Sequence, residues 1–148
     1  MDYIKIRFVD HTDFVESEFY RTVEEMLRVS NPRFTLSRHQ WRPQVDIYET
    51  RDEIVIQAEI AGVRQEEILL EISAAVVKIS GTRSGGAREE EARYRLAEIP
   101  CGDFERTLQL PALIDTGKAA AVYHNGLLEI RLAKRPLNRI HKITVQHG

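Results

Sequence analysis

The chain has 148 residues, a formal net charge of -2 and a single cysteine, Cys101. That length suits one domain with arms or two very small domains. The near-balanced charge supplies no field to draw nucleic acid or an anionic membrane, and one cysteine excludes an internal disulfide. No apolar run approaches the length of a membrane span, and the opening "MDYIKIRFVDHTDF" lacks the apolar stretch of a secretory signal, so a cytoplasmic setting is expected.

Three zones follow in chain order. Residues 1–42 read as an N-terminal arm. Ile4, Ile6 and Phe8 alternate with Lys5 and Arg7, the pattern of a short strand or an adaptable arm. Asp13 with Glu16 resembles a capping box. Val15, Phe19, Val23 and Met26 or Leu27 then recur at helical spacing up to Asn31-Pro32. The spacing predicts an amphipathic helix with no second helix to pack on, so its apolar face must meet the main domain, another subunit or a foreign chain. Phe34 and Trp41 follow in a polar linker.

Residues 43–135 are written in period two. Val45 and Ile47 alternate with Asp46 and Tyr48, and Ile54, Ile56, Ala58 and Ile60 alternate with Val55, Gln57 and Glu59. Ile68, Leu70 and Ile72 come next, then Val77 and Ile79, then Phe104, Leu108 and Leu110, then the alanine-rich "KAAAVY", then Leu128, Ile130 and Leu132. Ala61-Gly62, Ser84–Gly86, Pro100–Gly102, Pro111 and Asn125-Gly126 interrupt them. Many short strands with turn signals and no helical pattern between them predict an all-β, immunoglobulin-like antiparallel sandwich. Asn125-Gly126 predicts a type I′ hairpin, since both residues tolerate positive φ. Residues 136–148 read as a flexible extension, in which Ile140, Ile143 and Val145 are the notable apolar residues.

Signs of catalysis are scarce. "SGTRSGG" lacks the Lys-Ser/Thr pair of a phosphate-binding loop. No family signature surrounds Cys101, and the five histidines are scattered without zinc-site spacing. No enzyme activity, cofactor or metal is expected. Glu89–Glu91, flanked by Arg88 and Arg93, reads as a solvated loop. Arg106 is the exception to its surroundings: in "DFERTLQLP" the register puts it on the face of Phe104, Leu108 and Leu110. It either snorkels to water from an edge strand or enters an ion pair that fixes how two chains meet.

The segment "PQVDIYETRDEIVIQAEIAGVRQEEILLEIS" resembles the opening of the α-crystallin domain of bacterial small heat-shock proteins. "VVKISGTR" is similar to the strand that follows it, "GDFERTLQLP" to the Gly-x-Phe-x-Arg segment, "AAAVYHNGLLEIRLAK" to the closing Asn-Gly-x-Leu hairpin, and "ITV" to the Ile-x-Ile/Val tail motif. Ala61 departs from a common proline, and Ile99 stands where Glu-Arg is frequent. The resemblance implies an ATP-independent holdase that binds partly unfolded proteins and prevents their aggregation, assembling as oligomers of dimers. It implies a long loop from about Thr82 to Ile99 with a swapped strand at Tyr94 to Leu96, and Arg106 at the dimer contact. It also implies that Ile143 and Val145 anchor the tail in a neighbour's groove, between Ile68, Leu70 and Ile72 on one strand and Ala120 and Val122 on another. Such docking joins β-augmentation to pocket filling.

Client capture is expected on Phe8, Phe14, Phe19, Tyr20, Met26, Leu27, Phe34 and Trp41, large apolar residues on a segment with no core of its own, or else these side chains pack between subunits. Unfolded proteins and further copies of the chain are the expected partners, with neither nucleic acid nor membrane. The rival readings are a CS-domain-like co-chaperone, a non-chaperone β-sandwich interaction module and an unrecognised hydrolase.

Overall fold

The computed structural model describes residues 3–10, 14, 23, 26, 40–86, 89–137 and 143–146. Eight strands follow in order: β1 (Lys5–Phe8), β2 (Val45–Glu49), β3 (Glu53–Glu59), β4 (Leu69–Ile72), β5 (Val76–Arg83), β6 (Gly102–Gln109), β7 (Ile114–His124) and β8 (Leu127–Lys134). They form two four-stranded sheets, one in the order β1-β4-β5-β6 and the other β2-β3-β8-β7.

Period-two patterning decides which side chains meet between the sheets. In the second sheet, Ile54 pairs with Leu132, Ile56 with Ile130 and Ala58 with Leu128. In the first, Leu70 pairs with Ile79 and Ile72 with Val77, which in turn pairs with Leu108. Paired residues of adjacent strands point to the same face, so these rows fill one shared core. A fully buried aliphatic side chain contributes about 1.5–3 kcal/mol, and repeating the row across both sheets offsets the ordering of the chain.

The expected turns appear where the breakers stand. Asn125 and Gly126 have φ of 50° and 80°, the left-handed pair of a type I′ turn, and they join β7 to β8 with His124 opposite Leu127. Gly126 carries a second constraint: a Cβ there would lie 2.9 Å from the Ala61 Cα, and its carbonyl accepts the Ile60 N–H at 2.9 Å. The hairpin tip is thereby fastened to the end of β3. Between β4 and β5, the Ser73 hydroxyl oxygen accepts the Val76 N–H at 3.0 Å and closes that turn.

Two features go beyond the antiparallel sandwich expected from the sequence. β1 joins β4 in parallel, with Ile6 opposite Leu70 and Phe8 opposite Ile72. β7 is long and irregular, its pairing with β8 shifting between Ile114 and Ala119. In the arm, Phe14, Val23 and Met26 have helical backbone, Phe14 buried and Met26 exposed; the rest of the expected helix lies outside the described residues.

Candidate functional site

Side chains at the sandwich's two flanks carry most of the expected site. On one flank β6 lies near β2. Arg106 pairs with Ile79 on the core-facing side of β6, as its register predicts, and its Nη1 donates to the Pro43 carbonyl at 2.8 Å. A half-buried guanidinium is thus turned from the core toward the chain entering β2. Trp41 runs beside β6: its N–H donates to the Asp103 carbonyl at 3.1 Å, and its own carbonyl accepts the Glu105 N–H at 3.4 Å. Its indole lies 5.0 Å from the Phe104 ring and donates to the Gly102 carbonyl at 3.1 Å, while the Arg83 guanidinium stacks 3.9 Å from its centroid. Phe104 in turn sits where a Cβ on Gly81 would meet its ring at 2.6 Å, so glycine at that position makes room for the aromatic pair.

Beside this cluster β2 is the outer strand of its sheet, and no described strand pairs with its far side. Ile47 and Tyr48 are exposed there and line a shallow apolar recess with Leu110 and Pro111. The long loop runs from Ser84 to Cys101, because β5 continues through Thr82 and Arg83 and the Thr82 hydroxyl donates to the Asp103 carboxylate at 2.7 Å. The expected start at Thr82 is therefore two residues early. Tyr94 to Leu96 form no strand within the single chain, and Tyr94, Leu96 and Ile99 are all exposed.

On the opposite flank, β7 is the outer strand of one sheet and β4 lies one strand in from the edge of the other, beneath β1. Ile68, Leu70 and Ile72 are completely buried. The β7 half of the expected groove has the opposite parity: Ala119, Ala121 and Tyr123 pack on the core, whereas Ala120 and Val122 are exposed on the outer face. Three successive alanines offer no contrast between faces, and the pairing shift inside β7 moves the parity by one residue. Burial pushes the Tyr123 phenol above its ordinary range, and its hydroxyl donates to the Ile60 carbonyl at 3.0 Å.

The edge of β4 carries β1. Arg7 is ion-paired with Glu71, which is 8% exposed; Lys78 Nζ lies 3.5 Å from the same carboxylate and 3.5 Å from Glu105. An alternating charge ladder thus crosses the outer face of the sheet from β1 to β6. The sequence reads Ile4–Phe8 as a short strand or an adaptable arm and does not give its place on β4; the ladder and the Arg83–Trp41 stack were also missed. The available signal for β1 was its Ile-x-Ile spacing, the same as that of Ile143-x-Val145.

Ile143 and Val145 are 85% and 71% exposed and pair with no described strand of their own chain. Of the residues expected to capture clients, four are described. Phe8 and Met26 are exposed, Phe14 is buried, Trp41 is pinned between Phe104 and Arg83, and Phe19, Tyr20, Leu27 and Phe34 lie outside the described residues. Among the described residues no helix is long and apolar enough to cross a membrane.

Comparison with known proteins agrees with this architecture. The chain is 33% identical over 98 residues to a probable 15 kDa heat shock protein of Leptospira interrogans, covering 66% of this chain and 74% of that one. It is 28% identical over 103 residues to small heat shock protein C4 of Rickettsia felis, covering 70% of this chain but only 63% of the relative's length. The crystal structure of hspA from Xanthomonas axonopodis superposes with a TM-score of 0.61 at 33% identity, over 68% of this chain and all of that one. Residues 46–146, which span the sandwich from β2 through the tail motif, match the Hsp20/alpha crystallin family, and the chain belongs to that family of chaperones.

Proposed function

We propose that the protein is an ATP-independent holdase of the cytoplasm that binds partly unfolded proteins and keeps them from aggregating, working as oligomers built from dimers. The observation that carries this reading is where the exposed apolar side chains fall. Phe8, Met26, Leu96, Ile99, Ile143 and Val145 all lie outside the sheets' shared core, on the arm, the loop and the tail. Apolar surface of that kind is costly to leave in water and serves to meet other chains.

In this reading the loop around Tyr94 and Leu96 crosses to the open β2 edge of a second subunit by strand addition, beside the Arg106–Pro43 contact. Ile143 and Val145 of one dimer dock on the β4/β7 flank of another. Each buried aliphatic contributes about 1.5–3 kcal/mol, and ordering each tail residue costs about 1–2 kcal/mol, so one tail holds weakly and many together hold an assembly that still exchanges. Phe8 and Met26, with the apolar residues of the arm, receive the client when that assembly loosens.

Light scattering from a heat-labile client, with the purified protein and without nucleotide, tests the activity. Near-equimolar protein is expected to suppress the scattering; undiminished aggregation overturns the reading. Ile143→Gly with Val145→Gly is expected to shrink the particle toward dimers by size-exclusion chromatography with light scattering, and an unchanged particle removes the tail's role.

A further inference from the structure

We infer that β1 is a removable internal cap on β4, held by the same chain and competing with the tail of a neighbouring subunit for that strand edge. The inference rests on the proposed docking of Ile143 and Val145 at the β4/β7 flank and adds what the incoming tail must displace. Four observations carry it.

The edge is already occupied. Lys5 to Phe8 pair in parallel with Leu69 to Ile72, and the flanking bonds run from Lys5 N–H to the Ile68 carbonyl at 3.4 Å and from Val9 N–H to the Ile72 carbonyl at 3.0 Å. An arriving strand therefore finds no vacant row of backbone groups on β4, which is how a sheet edge is protected from indiscriminate pairing. Arg7 and Phe8 line one open cleft with Thr116 of β7, which puts the cap on the flank where β4 and β7 are neighbours.

The occupant repeats the tail's pattern. Ile4-Lys5-Ile6 and Ile143-Thr144-Val145 each place two β-branched hydrophobes around one polar residue. Ile4 packs against the core and Ile6 stands opposite Leu70, so a tail seated in the same way satisfies the same backbone row and presents the same two side chains.

The cap is loosely held. All four residues of β1 are exposed, Phe8 at 55%. Its advantage over the tail is that it is tethered to its own sandwich through residues 9–40, which raises its local concentration at the edge.

The fourth observation separates the two occupants. Arg7 pairs with the nearly buried Glu71 carboxylate, and a tail in the same register brings Gln146 to that place. Charge therefore favours the cap and is neutral toward the tail, so salt, which screens an exposed arginine, shifts occupancy from cap to tail.

Binding of a fluorescein-labelled peptide of residues 139–148, followed by anisotropy, tests this. The receptor is the full chain carrying Ile143→Ser and Val145→Ser, so that its own tails do not compete. Adding Ile4→Asp and Ile6→Asp is expected to tighten peptide binding about fivefold or more, because a cap that occupies most molecules lowers apparent affinity by the fraction left open. Arg7→Ala, on an exposed side chain that leaves the fold intact, is expected to tighten it about twofold and to abolish the gain produced by salt. Equal affinity with and without both sets of substitutions overturns the cap. Absence of binding to every receptor is a different failure: it overturns the tail's destination, and the competition with it.

Discussion

The two flanks of the sandwich treat their strand edges differently. At β6 the chain lays Trp41 along the edge and fastens it with the Phe104 ring, the Gly102 carbonyl and the Arg83 guanidinium. At β4 it lays down β1, whose residues are all exposed; among the described residues its side-chain hold includes the Arg7–Glu71 ion pair, with Ile4 just before it packed on the core. Both devices satisfy backbone groups; only the first also buries aromatic surface. An edge covered by packed rings is closed for good, whereas an edge covered by backbone pairing and a solvated charge can be reopened. Among the described residues the β2 edge has neither cover, and it stands beside Arg106 and an apolar recess, the arrangement a partner strand requires.

The comparison breaks most sharply at Phe104, which is 1% exposed. Phe104→Ala is expected to cost about 3–5 kcal/mol and to release Trp41, so denaturant unfolding and tryptophan emission should change together. An unshifted tryptophan emission would show that Trp41 is held without its ring partner, by the Gly102 carbonyl and the Arg83 guanidinium. Leu96→Asp sharpens the contrast at the open edge. Its side chain is 73% exposed in the single chain, so subunit stability should move by less than about 0.5 kcal/mol, while dimerisation followed by sedimentation weakens by about 1–3 kcal/mol. An unaltered dimer would place the contact elsewhere. The smallest effect is expected from Arg7→Ala: with the arginine 62% exposed, thermal unfolding should register no more than about 1 kcal/mol, even though occupancy of β4 changes. A large loss of stability would mean that β1 belongs to the core rather than covering it.

Much of this was legible in the residues. Alternation over Ile54 to Ile60, Ile68 to Ile79 and Leu128 to Leu132 marks strands with a core-facing row, although Val55 and Val76 off that row are fully buried too. Asn125-Gly126 marks its hairpin, and the period carries Arg106 to the core-facing side of β6. These succeed because each depends on neighbours within a few positions. The facing of β7 was not legible for a local reason: Ala119, Ala120 and Ala121 are chemically identical, and the slip after Ile114 decides which of them turns inward.

The sequence by itself determined the family, the strands and the tight turn between β7 and β8, because hydrophobic period and positive-φ residues act through short-range geometry. Only the tertiary structure decided what covers each edge. Ile4 to Phe8 has the pattern of a strand whether or not a partner exists, and its seat depends on which row of N–H and C=O groups the distant pairing of β4 with β5 leaves open.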